Sequence, residues 1–240
     1  HNSGWNNDYD FGVDGGNKQK RIAESRFGTP NLTWEKGLKR NIGIELSMFK
    51  NAISLDLDFF EEDRKDILIQ RSSLPDIVGI PAQPFANMGK MNNKGFDGTI
   101  EFTNRIGDLG YKVYGNYTYA KNKIIEMDEP QKKHDWLMRT GKPLGQRFGL
   151  IAERLFTDDD FEDIDKGILK EGIPEHTFGI VRPGDVKYKD VDGDKKITVY
   201  DQIPIGYSNI PQVVYGFGFQ LEYKNFDIGM FFRGQSKVTY

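Results

Sequence analysis

The sequence predicts an all-β chain: an antiparallel transmembrane β-barrel segment with long extracellular loops. Three observations carry this reading. Apolar and polar residues alternate with period 2 through six separate runs, and the charges of those runs keep to one face. Short turns alternate with long connecting segments. Strict alternation marks a strand whose two sides meet different surroundings. Short turns at one end with long loops at the other are the habit of membrane barrels.

The first two runs are "NIGIELSMF" and "AISLDLDFF". Ile42, Ile44, Leu46 and Met48 oppose Gly43, Glu45 and Ser47; Ile53, Leu55, Leu57 and Phe59 oppose Ser54, Asp56 and Asp58. Lys50-Asn51 joins them as a polar hairpin turn. In "GFDGTIEFT" and "YKVYGNYTYA", Phe96, Ile100, Phe102, Tyr111, Val113, Tyr117 and Tyr119 oppose Asp97, Thr99, Glu101, Lys112, Asn116 and Thr118. In "VVYGFGFQLEY" and "FDIGMFF", joined by Lys224-Asn225, the apolar series runs Val213 to Tyr223 and Phe226 to Phe232. Gly216, Gly218, Gln220, Glu222, Asp227, Gly229 and Arg233 oppose it.

A soluble β-sandwich also segregates its faces. The runs, however, are about nine to eleven residues long, which suits a tilted membrane-spanning strand better than a soluble one. Aromatic residues crowd the apolar faces and strand ends, as in an interfacial girdle. The runs of segments 62–94 and 122–211 are read as long loops. With short turns on the periplasmic side, an even number of spanning strands, zero included, separates strand 111–120 from strand 213–223. "QRFGLIAERLF" (146–156) is the best strand candidate between them. Its Glu153-Arg154 pair charges both faces, so it is assigned to an extracellular excursion spanning about residues 122–211. Six to eight strands cannot close a wide barrel, and the chain ends on the strand-like "GQSKVTY". The 240 residues are therefore expected to be one partial barrel domain of a longer protein.

Composition excludes several classes. Aromatics at 13% and 27 glycines fit many strands and turns. A net charge of −3 with scattered lysines and arginines gives no basic stripe for nucleic acid. The absence of cysteine removes disulfide frameworks, thiolate metal sites and Cys nucleophiles. His1, His134 and His176 make no zinc spacing, and no G-x-S-x-G or triad is present, so no catalytic residue is assigned and no enzyme is expected. The acidic run 158–165 is read as a solvated loop face. Trp5, Tyr9 and Trp136 are read as loop aromatics that pack their own loops, and no substrate-binding residue is assigned. The charged faces, including Glu45, Asp56, Asp58, Asp97, Glu101, Lys112, Glu222, Asp227 and Arg233, are expected to line a lumen.

Four blocks in order resemble the SusC/RagA family of TonB-dependent outer-membrane transporters: "GTPNLTWEKGLKRNIGIEL" (28–46), "SSLPDIVGIPAQPFANMGKMNNKGFDGTIEF" (72–102), "PGDVKYKDVDGDKKITVYDQIPIG" (183–206) and "YGFGFQLEYKNFDIGMFFRG" (215–234). The resemblance implies a 22-stranded barrel filled by an N-terminal plug and energised by TonB. It implies a SusD/RagB-like surface lipoprotein as a lid, an oligosaccharide or peptide ligand, membrane lipid around the wall, and a Bacteroidetes outer membrane. It makes this chain a C-terminal part of the barrel, with the plug domain outside it. A soluble, calcium-stabilised all-β binding module of the cell surface is the alternative.

One stretch points to an ion. "DVDGDKKITVYD" (190–201) places Asp190, Asp192, Asp194, the Lys196 carbonyl and Asp201 at positions 1, 3, 5, 7 and 12 of a calcium loop. Thr198, at position 9, would act through water. Two departures weaken the match: Lys195 at position 6, where the turn favours Gly, and Asp201 where a longer Glu is usual. No helical pattern flanks the loop, and "VKYKDV" before it reads as strand, so the ion expected is a structural Ca2+ stapling a loop. An acidic loop of Asx-turns without an ion is the competing reading.

Overall fold

The computed structural model describes residues 2–11, 17–26, 28–29, 31–74 and 83–239, with the backbone alone described in the first two stretches. Residues 75–82 of the second family-like block and the final Tyr240 lie outside the described residues. Strands β1 (Asn2–Phe11) and β2 (Asn17–Arg26) pair antiparallel as a separate hairpin. Trp5 and Tyr9 therefore stand on β1, which corrects their assignment to a loop.

The main sheet takes the predicted hairpins in order. β3 (Lys36–Met48), β4 (Ile53–Gln70), β5 (Phe85–Ile106) and β6 (Leu109–Glu126) form a meander. An excursion follows, carrying β7 (Gln146–Gly149), β8 (Ala152–Leu155), β9 (Phe161–Asp163), β10 (Ile168–Leu169), β11 (Glu175–His176), β12 (Val186–Tyr188), β13 (Lys196–Ile197) and β14 (Ile203–Ser208). The chain then returns with β15 (Val213–Tyr223) and β16 (Phe226–Ser236). The sheet order is β16-β15-β6-β5-β4-β3, antiparallel throughout. No spanning strand separates β6 from β15: Val213 pairs with Tyr119 and Tyr223 with Leu109.

Four strands exceed the expected length, β3 least, with 13 residues. β4, β5 and β6 have 18, 22 and 18 residues, so the connection between β4 and β5 shrinks from the predicted 62–94 to the residues after Gln70 and before Phe85. Ladder hydrogen bonds carry the strands past the point where alternation ends. The short turns follow local backbone chemistry: Lys50, Asn51 and Lys224 adopt φ of 57°, 64° and 53°, and Gly107 φ of 60°. Such left-handed residues match the twist of the strands they join.

Register lines up the apolar series across all six strands. Leu46 opposes Leu55, which opposes Ile100, then Gly115, Phe217 and Phe232. Ile44, Leu57, Gly98, Tyr117, Tyr215 and Gly234 form the next row. Gly234 is needed there, because a Cβ would lie 2.5 Å from the Tyr215 ring. The opposite face gathers Glu45, Asp56, Thr99, Asn116, Gly216 and Arg233 in one row.

The excursion has its own small core. Phe156, Phe161 and Val181 are buried together, with Leu169 and Ile173 packed against them. β7 pairs with β14, β8 with β12, β9 with β10, and β11 runs parallel to β13. Residues 146–156 thus belong to the excursion, as their charge pattern suggests.

Candidate functional site

The first site is the sheet itself. Its apolar face is uncovered: Ile44, Phe217 and Ile228 are 44%, 54% and 52% exposed. In water such a contiguous apolar surface is unfavourable at about 25 cal/mol per Å2. Aromatic pairs tile it, with Phe59 and Phe96 at 6.0 Å, Phe96 and Tyr117 at 5.8 Å, and Phe217 and Phe232 at 5.1 Å. From Phe96 to Ile106 this face extends about 34 Å along β5 at about 3.4 Å per residue. A tilt of about 40° projects that to about 26 Å, the height of the apolar band of a membrane barrel. Near one margin the Asn104 amide donates to the Tyr111 hydroxyl at 3.2 Å, a polar pair at the level of the short turns.

At the other margin the same face turns charged within one step of the alternation. Ile42 gives way to Arg40, Phe59 to Glu61, Phe96 to Lys94 and Tyr119 to Lys121, and these four are themselves cross-strand neighbours. On the opposite face charges run the full height, from the Arg105–Glu222 ion pair at 2.9 Å and Lys112–Glu101 at 2.7 Å to Asp58 beside Asp97. Tyr114 and Phe231 stack there at 5.8 Å, so this face is polar but not devoid of rings.

The second site is the aspartate loop. Carboxylate oxygens of Asp190, Asp192 and Asp194 all lie within 4.8 Å of one another, a set of hard donors that fits a calcium ion. The backbone builds the cluster. Asp190 accepts the amides of Gly193 at 2.7 Å and Lys195 at 2.8 Å, and Asp194 accepts that of Lys196 at 2.9 Å. Those are Asx-turns, so the ion-free reading shares this geometry. β11 takes the carbonyls of Lys195 and Ile197, which leaves the Lys196 carbonyl on the other side of the strand.

Asp201 stands outside the cluster. It is fully buried, and its oxygens accept the amides of Val191 at 2.8 Å and Thr198 at 2.7 Å. It braces the loop ends together and caps the turn of 3-10 helix Val199–Asp201. This bracing role has no signature in residue spacing, because it depends on the chain folding back on itself. Lys195 adopts φ of 65°, the left-handed conformation that favours Gly at position 6.

Neighbouring segments hold the loop. The Lys133 ammonium lies 2.9 Å and the His134 Nε2 3.0 Å from Asp192 Oδ2. The hydrogen bond from Lys133 keeps the Asp192 carboxyl below its usual range. Trp136 stacks on His134 at 4.2 Å and donates to the Tyr200 carbonyl at 3.0 Å, so it packs its own region, as expected. The acidic run departs from its solvated reading at Asp160. That residue is buried, receives Arg154 at 2.5 and 2.6 Å, and completes a capping box with Thr157. Asp163 pairs with Lys166 at the surface.

A sheet of six antiparallel strands with one continuous apolar face and one polar face is a segment of a transmembrane β-barrel wall. The chain belongs to the TonB-dependent receptor-like β-barrel family, whose model matches residues 3–238. The resemblance to TonB-dependent outer-membrane transporters read in the sequence is borne out. TonB-dependent receptor P3 of Formosa agariphila is 26% identical over 240 aligned residues, covering 93% of this chain and 22% of the relative. TonB-dependent receptor P26 of the same organism is 28% identical over 228 residues, covering 91% and 22%. Among solved structures, the RagAB peptide importer in its open-open state matches with a TM-score of 0.67 at 17% identity, covering 99% of this chain and 24% of that one. A further RagAB peptide transporter structure gives 0.67 at 20% identity with the same coverage. These structural matches are likenesses of fold. The chain spans between 22% and 24% of the length of the relatives named.

Proposed function

We propose that this chain is a wall segment of an outer-membrane nutrient importer of the SusC/RagA kind. The whole protein takes up oligosaccharides or peptides, is energised by TonB through a plug-bearing part, and is covered by a SusD/RagB-like lipoprotein. The wall belongs to a 22-stranded barrel and the excursion from residue 127 to 212 faces the cell exterior. The segment guides a bulky solute past its polar face and performs no covalent chemistry. The observation that carries this reading is the register that places every apolar row of six strands on one uncovered face. The alternative, a soluble binding module, needs a second layer over that face, and none covers it among the described residues.

Within the excursion, Asp190, Asp192, Asp194 and the Lys196 carbonyl hold a structural Ca2+ while Asp201 braces the loop from behind. The ion fastens the excursion and takes no part in transport chemistry. The test of function uses the full-length protein in its own cell. Deleting the gene abolishes growth on the imported peptide or oligosaccharide pool, and restoring it brings growth back. Unchanged growth on every such pool contradicts the importer reading. Affinity purification from outer membranes is expected to bring down a surface lipoprotein.

A further inference from the structure

The margin where the apolar face turns charged carries an uncompensated cluster of cations. On central strands β5 and β6, Lys94 and Lys121 are directly opposite partners. Lys123 stands one alternation beyond Lys121 on the same face, opposite Asn92. All three lysines are exposed. Like charges facing one another across a ladder destabilise the pair. Glu61 on β4 is the other cross-strand neighbour of Lys94, but the carboxylates of this face are engaged elsewhere. Glu61 gives one oxygen to Arg40 at 3.1 Å and the other to Asn92 at 3.2 Å, and Asp63 binds Asn92 at 2.8 Å and Arg40 at 3.4 Å. Among the described residues, Lys94, Lys121 and Lys123 have no ion-pair partner. Below them lie Phe96 and Tyr119, the top row of the apolar band, and the Lys237 ammonium adds a fourth cation 5.1 Å over the Tyr119 ring.

The position of this cluster selects its ligand. It faces outward with the apolar band, at the end of the sheet away from the short turns. At Lys94, β5 is flanked by β4 and β6; on the far side of β6 the β15 ladder ends at Tyr119–Val213, and beyond it Ile124 bonds residues 141 and 142 of the excursion. A group that meets these lysines must sit at the boundary between hydrocarbon and water and carry negative charge. A phosphate does both: ammonium-to-oxygen bonds of about 2.8 Å let one phosphate bridge two ammonium groups whose Cβ atoms are about 5 Å apart. We propose that Lys94, Lys121 and Lys123, with Lys237, form a docking site for the phosphorylated headgroup of an outer-leaflet lipid, whose acyl chains lie along Phe96 and Tyr119. This rests on the reading that the apolar face meets lipid.

The test uses the full-length transporter in detergent micelles, with three probes: diphosphorylated lipid A, its dephosphorylated form and inorganic phosphate. The phosphorylated lipid is expected to bind tightest and to raise the melting temperature. The triple variant Lys94→Gln/Lys121→Gln/Lys123→Gln is expected to bind it roughly a hundredfold more weakly, from about 1 kcal/mol per lysine near a membrane surface. A Lys132→Gln control in the excursion leaves binding unchanged. The single variant Lys121→Glu replaces the repelling pair with Lys94 by an attracting one, so it is expected to raise the lipid-free melting temperature while weakening lipid binding. Equal affinity for both lipids, or a triple variant that binds like the parent, overturns the lipid site while leaving the barrel reading intact. Inorganic phosphate competing as strongly as the lipid shows a free-anion site and overturns it too. A parent protein that stays folded and monodisperse without detergent contradicts the barrel reading itself.

Discussion

Tyr117 on β6 and Tyr215 on β15 are directly opposite neighbours on the apolar face, although the whole excursion lies between them in the chain. That pairing fixes the topology. The chain leaves the sheet at Glu126, folds a separate small structure and re-enters beside the strand it left. The excursion is therefore a loop on one wall, with no spanning strand of its own in the described sheet.

A cross-link tests this directly, and the sequence has no cysteine to confuse it. Tyr117→Cys with Tyr215→Cys is expected to form a disulfide on mild oxidation, since facing residues of antiparallel strands meet the Cα spacing it needs. Non-reducing electrophoresis after a protease cut in the excursion reads the bond as two fragments held together. Fragments that separate show that other strands intervene.

Charge placement should be tolerated on one face only. Phe217 lies in the middle row of the apolar band, and Phe217→Lys is expected to cost about 2–4 kcal/mol. Asn116→Lys, on the opposite face beside Gly216, is expected to stay within about 0.5 kcal/mol. Urea unfolding of the full-length barrel in liposomes measures both. Similar costs at the two positions would remove the distinction between the faces.

The aspartate loop separates bracing from ion binding. Asp201→Ala leaves the amides of Val191 and Thr198 without their buried acceptor. It should destabilise the excursion by about 2–3 kcal/mol whether or not calcium is present. Asp192→Ala should loosen residues 160–210 mainly by abolishing the protection that calcium gives. Lys195→Gly should stabilise the loop by about 0.5–1 kcal/mol, because it relieves a left-handed lysine. Limited proteolysis in calcium and in chelator reads all three; identical digestion in both solutions contradicts the ion.

Acid should open the excursion in two stages. Burial against Phe156 and Tyr188, at 5.4 and 5.6 Å, holds the His176 imidazole below its ordinary 6.5. The unfolded chain then binds the proton more tightly, so the contribution of neutral His176 is full above about pH 6.5 and declines below it. Asp160 is held well below its ordinary 3.8, chiefly by the Arg154 guanidinium. For Asp128, burial acts to raise the pKa, but hydrogen bonds from Ser73 and Arg71 outweigh it and hold the carboxyl low. Their contributions are full above 3.8 and are lost as the pH falls beneath it. Hydrogen exchange from pH 8 to 3 should show both stages, with the upper one absent in His176→Gln.

The legible part of the fold is the part with two unlike surroundings. Lipid on one side and water on the other write period 2 into Ile42–Phe59 and Val213–Phe232. Above that band both faces meet water, so "EEDRKD" (61–66) and "NMGKMNNK" (87–94) carry no alternation, and the added length of β4 and β5 is not legible in them. In β1 a register shift between Trp5 and Asp8 breaks the period. The positions of Asp190, Asp192 and Asp194 follow from loop spacing. The amide contacts of Asp201 and the approach of Lys133 to Asp192 depend on distant segments meeting, which spacing does not encode.

Contact between the apolar face of the sheet and lipid can be read from the accessibility of nitroxide labels placed singly along β15, from residue 216 to 221, in the full-length protein in liposomes. Oxygen collisions, favoured in lipid, are expected to peak at 217, 219 and 221, and collisions with a water-soluble nickel reagent at 216, 218 and 220. Nickel accessibility at 217, 219 and 221, or protection of those positions from both reagents as in a dry core, would contradict it.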